Sequence, residues 1–121
     1  MINLLLFLVA YILAFVFFPL GFVYALVTFR VSKKKYLFNL AFAIDKLGNA
    51  TLGVVMNDIL KKKGGLSFGN YDQTISYCLG RNQQLQTLTK LGRFVAAVLD
   101  KIDPNHCQKA VETYNKRTKL C

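Results

Sequence analysis

MINLLLFLVAYILAFVFFPLGFVYALVTF, residues 1–29, decides the fold class. It holds no Asp, Glu, Lys, Arg or His, so every charged side chain of the 121-residue protein lies beyond it. At about 1.5 Å per residue the stretch makes a helix of roughly 43 Å, against a bilayer core of roughly 30 Å. The excess implies tilt, a kink or entry into the headgroups. Pro19 is the expected kink, because it removes one helical hydrogen bond. A cleaved signal peptide would need a basic start, an apolar run of about 7–15 residues and a small-x-small site. No Lys or Arg precedes this run, and no Ala-x-Ala follows it. A soluble core helix would keep a polar face, and this stretch is apolar all round. The expectation is a retained transmembrane anchor over residues 1–30.

The flank sets the direction. Arg30, Lys33, Lys34 and Lys35 follow the span, and basic residues beside a span stay in the cytoplasm. The expected topology places the N-terminus outside and residues 31–121 inside. The same cluster suits anionic lipid headgroups at the membrane surface. The chain is 54% hydrophobic yet carries a formal charge of +10, and the two figures belong to different segments. This composition excludes an ordinary cytosolic enzyme, a disordered tail and, with an odd count of three cysteines, a disulfide miniprotein. The basic residues are spread along the chain and do not alternate with aromatics, so nucleic acid is expected to bind only non-specifically.

The remainder reads as helix. Over 36–60, a stripe of Leu37, Leu40, Ile44, Leu47, Thr51, Val55 and Ile59 recurs near a period of 3.6, with Ala41, Leu52 and Met56 beside it. Lys61 to Lys63 and Gly64-Gly65 close that helix, and residues 64–70 form a loop. Asp72 is the expected cap of a short helix over 73–83. A further helix spans 85–102, with Leu85, Leu88, Leu91, Val95, Val98 and Ile102 as its buried stripe. Asp103-Pro104 signals the start of a last helix over about 104–118, Asp103 as its cap and Cys107, Ala110, Val111 and Tyr114 on one face. The expected fold is all-α, one N-terminal transmembrane helix plus a compact bundle of three to four short helices over 31–121.

Few residues bring chemistry. His106 is the one histidine, and Cys107 follows it. A Cys–His pair can form a nucleophile and its base, but helical neighbours point about 100° apart. Cys107 therefore reads as core filler. The cysteines lack metal-ligand spacing, so no metal or cofactor is expected. Asp45 and Asn49 share a helix face, and the 71–81 stretch is dense in polar groups. The expectation is a half-buried polar cluster of Asp45, Asn49, Thr74, Ser76, Arg81 and His106, with Arg81 near Asp45 and His106 near the 72–76 turn. Such groups find partners, since each left unpaired costs about 1–3 kcal/mol.

Three blocks, IDKLGN at 44–49, DQTISYCLGR at 72–81 and DPNHCQKA at 103–110, resemble a family of small membrane proteins of tailed bacteriophages and prophages. Members of that family typically read Asp-Glu-Thr-Leu-Ser-x-Arg-x-x-Arg in the middle block and end with the His-Cys pair. Gln73 stands here where Glu is usual, and Cys78 where Arg is usual. The resemblance implies a phage context and supplies no mechanism. The expected function is non-catalytic, a structural or interaction module held in a virion internal membrane or the host inner membrane. In a virion the basic domain faces the particle interior. Its further partners are capsid or membrane proteins of the phage, and an oligomer is compatible with the sequence. The competing expectation is a small membrane-anchored hydrolase using His106 with Cys107 or Ser76, and Asp45.

Overall fold

The computed structural model describes residues 1–28 and 32–119 and divides into two compact units, Met1–Leu40 and Ala41–Cys121. The described residues form five helices: α1 (Ile2–Thr28), α2 (Lys33–Ile59), α3 (Ile75–Gln84), α4 (Lys90–Ile102) and α5 (His106–Lys119). No strand forms among them, and one isolated antiparallel bridge joins Lys61 to Leu88. The all-α architecture is the one the hydrophobic periodicity predicts.

In the first unit, α1 continues through Pro19 and buries none of its residues. It is long and apolar enough to cross a membrane. The N-terminal turn of α2 follows, with Phe22 stacked on Tyr36 at 6.2 Å between ring centroids. Helix α2 begins at Lys33, earlier than residue 36, and Lys33, Lys34 and Lys35 stand exposed in its first turn. Arg30 lies outside the described residues.

In the second unit, α3 is the centre. Ser76, Tyr77, Cys78, Leu79, Gly80 and Asn82 are all buried. Helices α4 and α5 pack on it, and Met56 of α2 and Leu60 just beyond its end complete the apolar core with Phe68, Leu88, Ala96, Cys107 and Val111. Thr74, not Asp72, caps α3: its hydroxyl accepts from Tyr77 N at 3.0 Å, while Asp72 N bonds Asn70. Thr89 caps α4 by accepting from Gly92 N at 3.1 Å. The same hydroxyl donates to the carbonyl of Ile59 at 2.6 Å, so one side chain ends α2 and starts α4.

That double cap moves the start of α4 from 85 to 90, and it turns the helix. Gly92 and Ala96 are the buried residues, with Val95 and Leu99 packed beside them. Leu91, Val98 and Ile102 of the expected stripe are exposed instead, as is Leu85. A Cβ on Gly92 would collide with the carbonyl of Leu60, so the face that approaches another backbone is the one with the smallest side chains. The last helix also starts later than expected. Asp103 closes α4, Asn105 takes φ 60°, and α5 begins at His106. The expected face of α5 is the one that packs: Cys107 and Val111 are buried, with Ala110 and Tyr114 against the core.

Candidate functional site: a polar chain linking α2, α3 and α5

Four side chains from three helices and a turn join end to end. Asp45 of α2 accepts from Ile75 N through Oδ1 at 2.8 Å and from Ser76 Oγ through Oδ2 at 2.9 Å. The carboxylate thus sits on the N-terminal turn of α3, where free backbone N–H groups favour a negative charge. Ser76 Oγ lies 3.1 Å from His106 Nε2, and His106 Nδ1 lies 3.1 Å from Asp103 Oδ2. Lys109 donates to the other oxygen of Asp103 at 2.6 Å. Lys109 and His106 together hold the Asp103 carboxyl below its ordinary value.

Ser, His and Asp in this order are the components of an acyl-transfer triad. Here the directions of donation argue against that chemistry. A carboxylate only accepts, so Asp45 takes the single hydroxyl proton of Ser76. The imidazole is then not placed to take a proton from Ser76. Ser76 is also only 5% exposed. An open cleft exists elsewhere on the unit, walled by Lys62, Gln83, Gln86, Arg93 and Asp100, and neither Ser76 nor His106 lines it.

Asn49 is fully buried one turn along α2 from Asp45. Its Nδ2 donates to the carbonyls of Asn70 and Gln73, both at 2.9 Å, and contacts Cys78 Sγ at 3.7 Å. Its Oδ1 accepts from Gly69 N at 3.2 Å. Thr74 spends its side chain on the α3 cap, next to this network. Arg81 stands apart. It donates to Gln84 at 2.7 Å, and among the described residues no ion pair joins it to Asp45. Both Asp45 oxygens are occupied at the first turn of α3, and Arg81 lies about 7–8 Å further along that axis, five residues at 1.5 Å each.

Neither thiol of the described residues is poised as a nucleophile. Cys78 and Cys107 are both buried, and burial pushes each thiol up to about 12. Cys107 does not pair with His106; its backbone N–H bonds Asp100 Oδ1 at 3.1 Å. No group of three or more His, Cys, Asp or Glu able to hold a metal occurs among the described residues.

Sequence reasoning passed over several anchors. Asn57 clamps Phe68 with both ends of its amide, at 3.0 and 2.7 Å. Asn82 donates to the carbonyls of Leu66 and Cys78 and accepts from Thr87. Gln108 ties α5 to Gly80 and Gln83. Asn is a poor helix former, so Asn49, Asn57 and Asn82 inside helical stretches were the available signal. No buried side-chain nitrogen or oxygen of the described residues lacks a partner. Comparison with protein-family models, with curated proteins and with solved structures finds no match.

Proposed function

We propose that the protein is an integral membrane protein of a bacteriophage, a non-catalytic structural or interaction module that holds a basic helical domain at a bilayer. The observation that carries this reading is α1, a helix of 27 residues with no charged side chain and no buried residue. Only a lipid environment relieves such a surface without a partner. The first turn of α2 supports the same reading. Lys33, Lys34 and Lys35 occupy a helix N-terminus, where the dipole disfavours cations, and anionic headgroups offset that repulsion. On the positive-inside argument the domain is cytoplasmic, or faces the particle interior if the bilayer belongs to a virion. The resemblance of the 44–49, 72–81 and 103–110 blocks supports the phage context. The polar chain then serves as a staple between helices.

Membrane fractionation with an alkaline carbonate wash tests the anchor. The protein stays in the pellet, and a variant lacking residues 1–29 is released; release of the intact chain would sink the reading. Assay of purified particles beside host inner membranes distinguishes the two locations.

The contacts of 3.1 Å on each side of His106 favour one second reading, a small membrane-anchored hydrolase with Ser76 as nucleophile. Labelling of Ser76 by a fluorophosphonate, abolished in Ser76→Ala, is its test. Absence of labelling in the folded chain removes it.

A further inference from the structure

The open cleft of the second unit has a volume of about 520 Å³. Arg93, Ala97 and Asp100 line it from α4, spaced four and three residues apart, so they share one helix face. Arg93 and Asp100 stand about 10 Å apart along the axis, seven residues at roughly 1.5 Å each, with the small Ala97 between them. Lys62 joins Arg93 near the start of α4, where its backbone N–H donates to the Thr87 carbonyl at 2.6 Å. Asp100 holds the far end. Its Oδ1 accepts from Cys107 N at 3.1 Å and its Oδ2 from Gln83 at 3.4 Å. The cleft is therefore polarised, with two cations at one end and a fixed carboxylate at the other.

Among the described residues, no ion pair engages Lys62 or Arg93. Gln86, on the wall, takes φ 57°, a left-handed conformation that favours glycine or asparagine. A long amide kept in that conformation beside a cleft points to use of the side chain. The volume falls in the small-molecule range of about 300–1,000 Å³, far beyond what a bare ion fills. No aromatic ring of the described residues lines the cleft, so the stacked bases of a nucleic-acid strand do not suit it.

We propose that this cleft binds a phosphorylated polyol, a small molecule with a phosphate at one end and hydroxyls at the other. Lys62 and Arg93 hold the phosphate, the guanidinium fork pairing two of its oxygens and the ammonium adding a point charge. Asp100 keeps lone pairs for a hydroxyl, and the Gln86 amide both donates and accepts. The carboxylate repels a second phosphate, which fixes the direction of entry. A soluble sugar phosphate and the glycerol phosphate headgroup of phosphatidylglycerol both present this chemistry. The site lies wholly within Ala41–Cys121, so it stands or falls separately from the anchor reading.

The test titrates ribose 5-phosphate into the full chain in phosphatidylcholine nanodiscs. Binding is saturable, ribose does not bind, and inorganic phosphate binds about tenfold or more weakly, because it leaves the Asp100 end unused. Lys62→Gln and Arg93→Gln each weaken binding about tenfold or more, through loss of a charge-assisted hydrogen bond. Ala97→Phe fills the cleft and abolishes it. Lys116→Gln removes the same charge from an exposed position on α5 and leaves binding unchanged. Far-UV circular dichroism checks that each variant keeps its helices. Loss of the ribose 5-phosphate signal in discs containing phosphatidylglycerol, with retention in discs of equal charge made with phosphatidylserine, identifies the headgroup as the source. Retention in both identifies a soluble ligand. Non-saturable binding, equal affinity for ribose 5-phosphate and inorganic phosphate, or equal weakening by Lys116→Gln and Arg93→Gln overturns the proposal.

Discussion

Helices α1 and α3 reach the same backbone geometry by opposite routes. Helix α1 carries leucine, phenylalanine and valine on every side and buries nothing within the protein. Its helicity needs only its own hydrogen bonds and an apolar surrounding. Helix α3 is ten residues long, too short to be stable alone, and contains Gly80, Asn82 and Ser76. It is helical because its neighbours hold it: Thr74 and Asp45 at its start, Asn82 at its end, and α5 along Gly80. The contrast teaches that a composition-driven helix tolerates substitution almost anywhere, whereas a contact-driven helix fails at single positions.

The largest break is expected at Asn49. In Asn49→Leu, the carbonyls of Asn70 and Gln73 and the N–H of Gly69 lose a buried partner. At about 1–3 kcal/mol per orphaned group, the unit loses about 3 kcal/mol or more. Chemical denaturation of the detergent-solubilised chain measures this, and a loss under about 1 kcal/mol would show that the 64–73 loop is not what organises α3.

Gly80→Ala comes next. A Cβ there meets the carbonyl of Cys107 and the side chain of Val111, so α5 must move away. A loss of about 1–3 kcal/mol is expected, the usual cost of overpacking. Gly21→Ala in α1, where a Cβ meets nothing within 4 Å, sharpens the comparison by leaving the unfolding midpoint of the domain unchanged. Equal effects of the two substitutions would erase the distinction between the helices.

Alkali gives a smaller and graded effect. Cys78 and Cys107 hold their protons in the folded state to about 12, against an ordinary value of 9.0. Between those values the folded state binds more protons than the unfolded chain, so stability falls as pH rises above about 9. Cys78→Ser and Cys107→Ser should flatten the decline. The smallest effect lies at the acid end. Lys109 and His106 depress the Asp103 carboxyl, so its contribution is present above the ordinary carboxylate range and lost as pH falls below about 4. Its solvent exposure keeps that contribution small, and Asp103→Asn should lower the melting temperature by a degree or two at most at neutral pH.

Helix existence was legible throughout, because a period of 3.6 marks α2, α4 and α5 and the absence of charge marks α1. Boundaries and faces were less so. Thr89 was invisible as a cap because its second partner, the Ile59 carbonyl, lies thirty residues away. Periodicity misplaces the buried face of α4 because large apolar residues dominate the pattern, while the closest backbone approach selects Gly92 and Ala96. In the polar chain, Asp45, Ser76 and His106 were readable as polar groups bordering apolar stripes. Asp103 was readable only as a cap, since its bond to His106 depends on the Pro104-Asn105 turn. Arg81 drew the eye by charge, yet its position on α3 carries it away from Asp45.

The most direct test of the staple is the unfolding free energy of Ser76→Ala in the otherwise intact chain. Removing the hydroxyl leaves Asp45 Oδ2 and His106 Nε2 without their partner in a part-buried setting. A structural staple then loses about 1–3 kcal/mol. Residues kept for catalysis behave differently, since their removal commonly leaves a protein equally or more stable. A Ser76→Ala protein as stable as the parent, or more stable, would contradict the account.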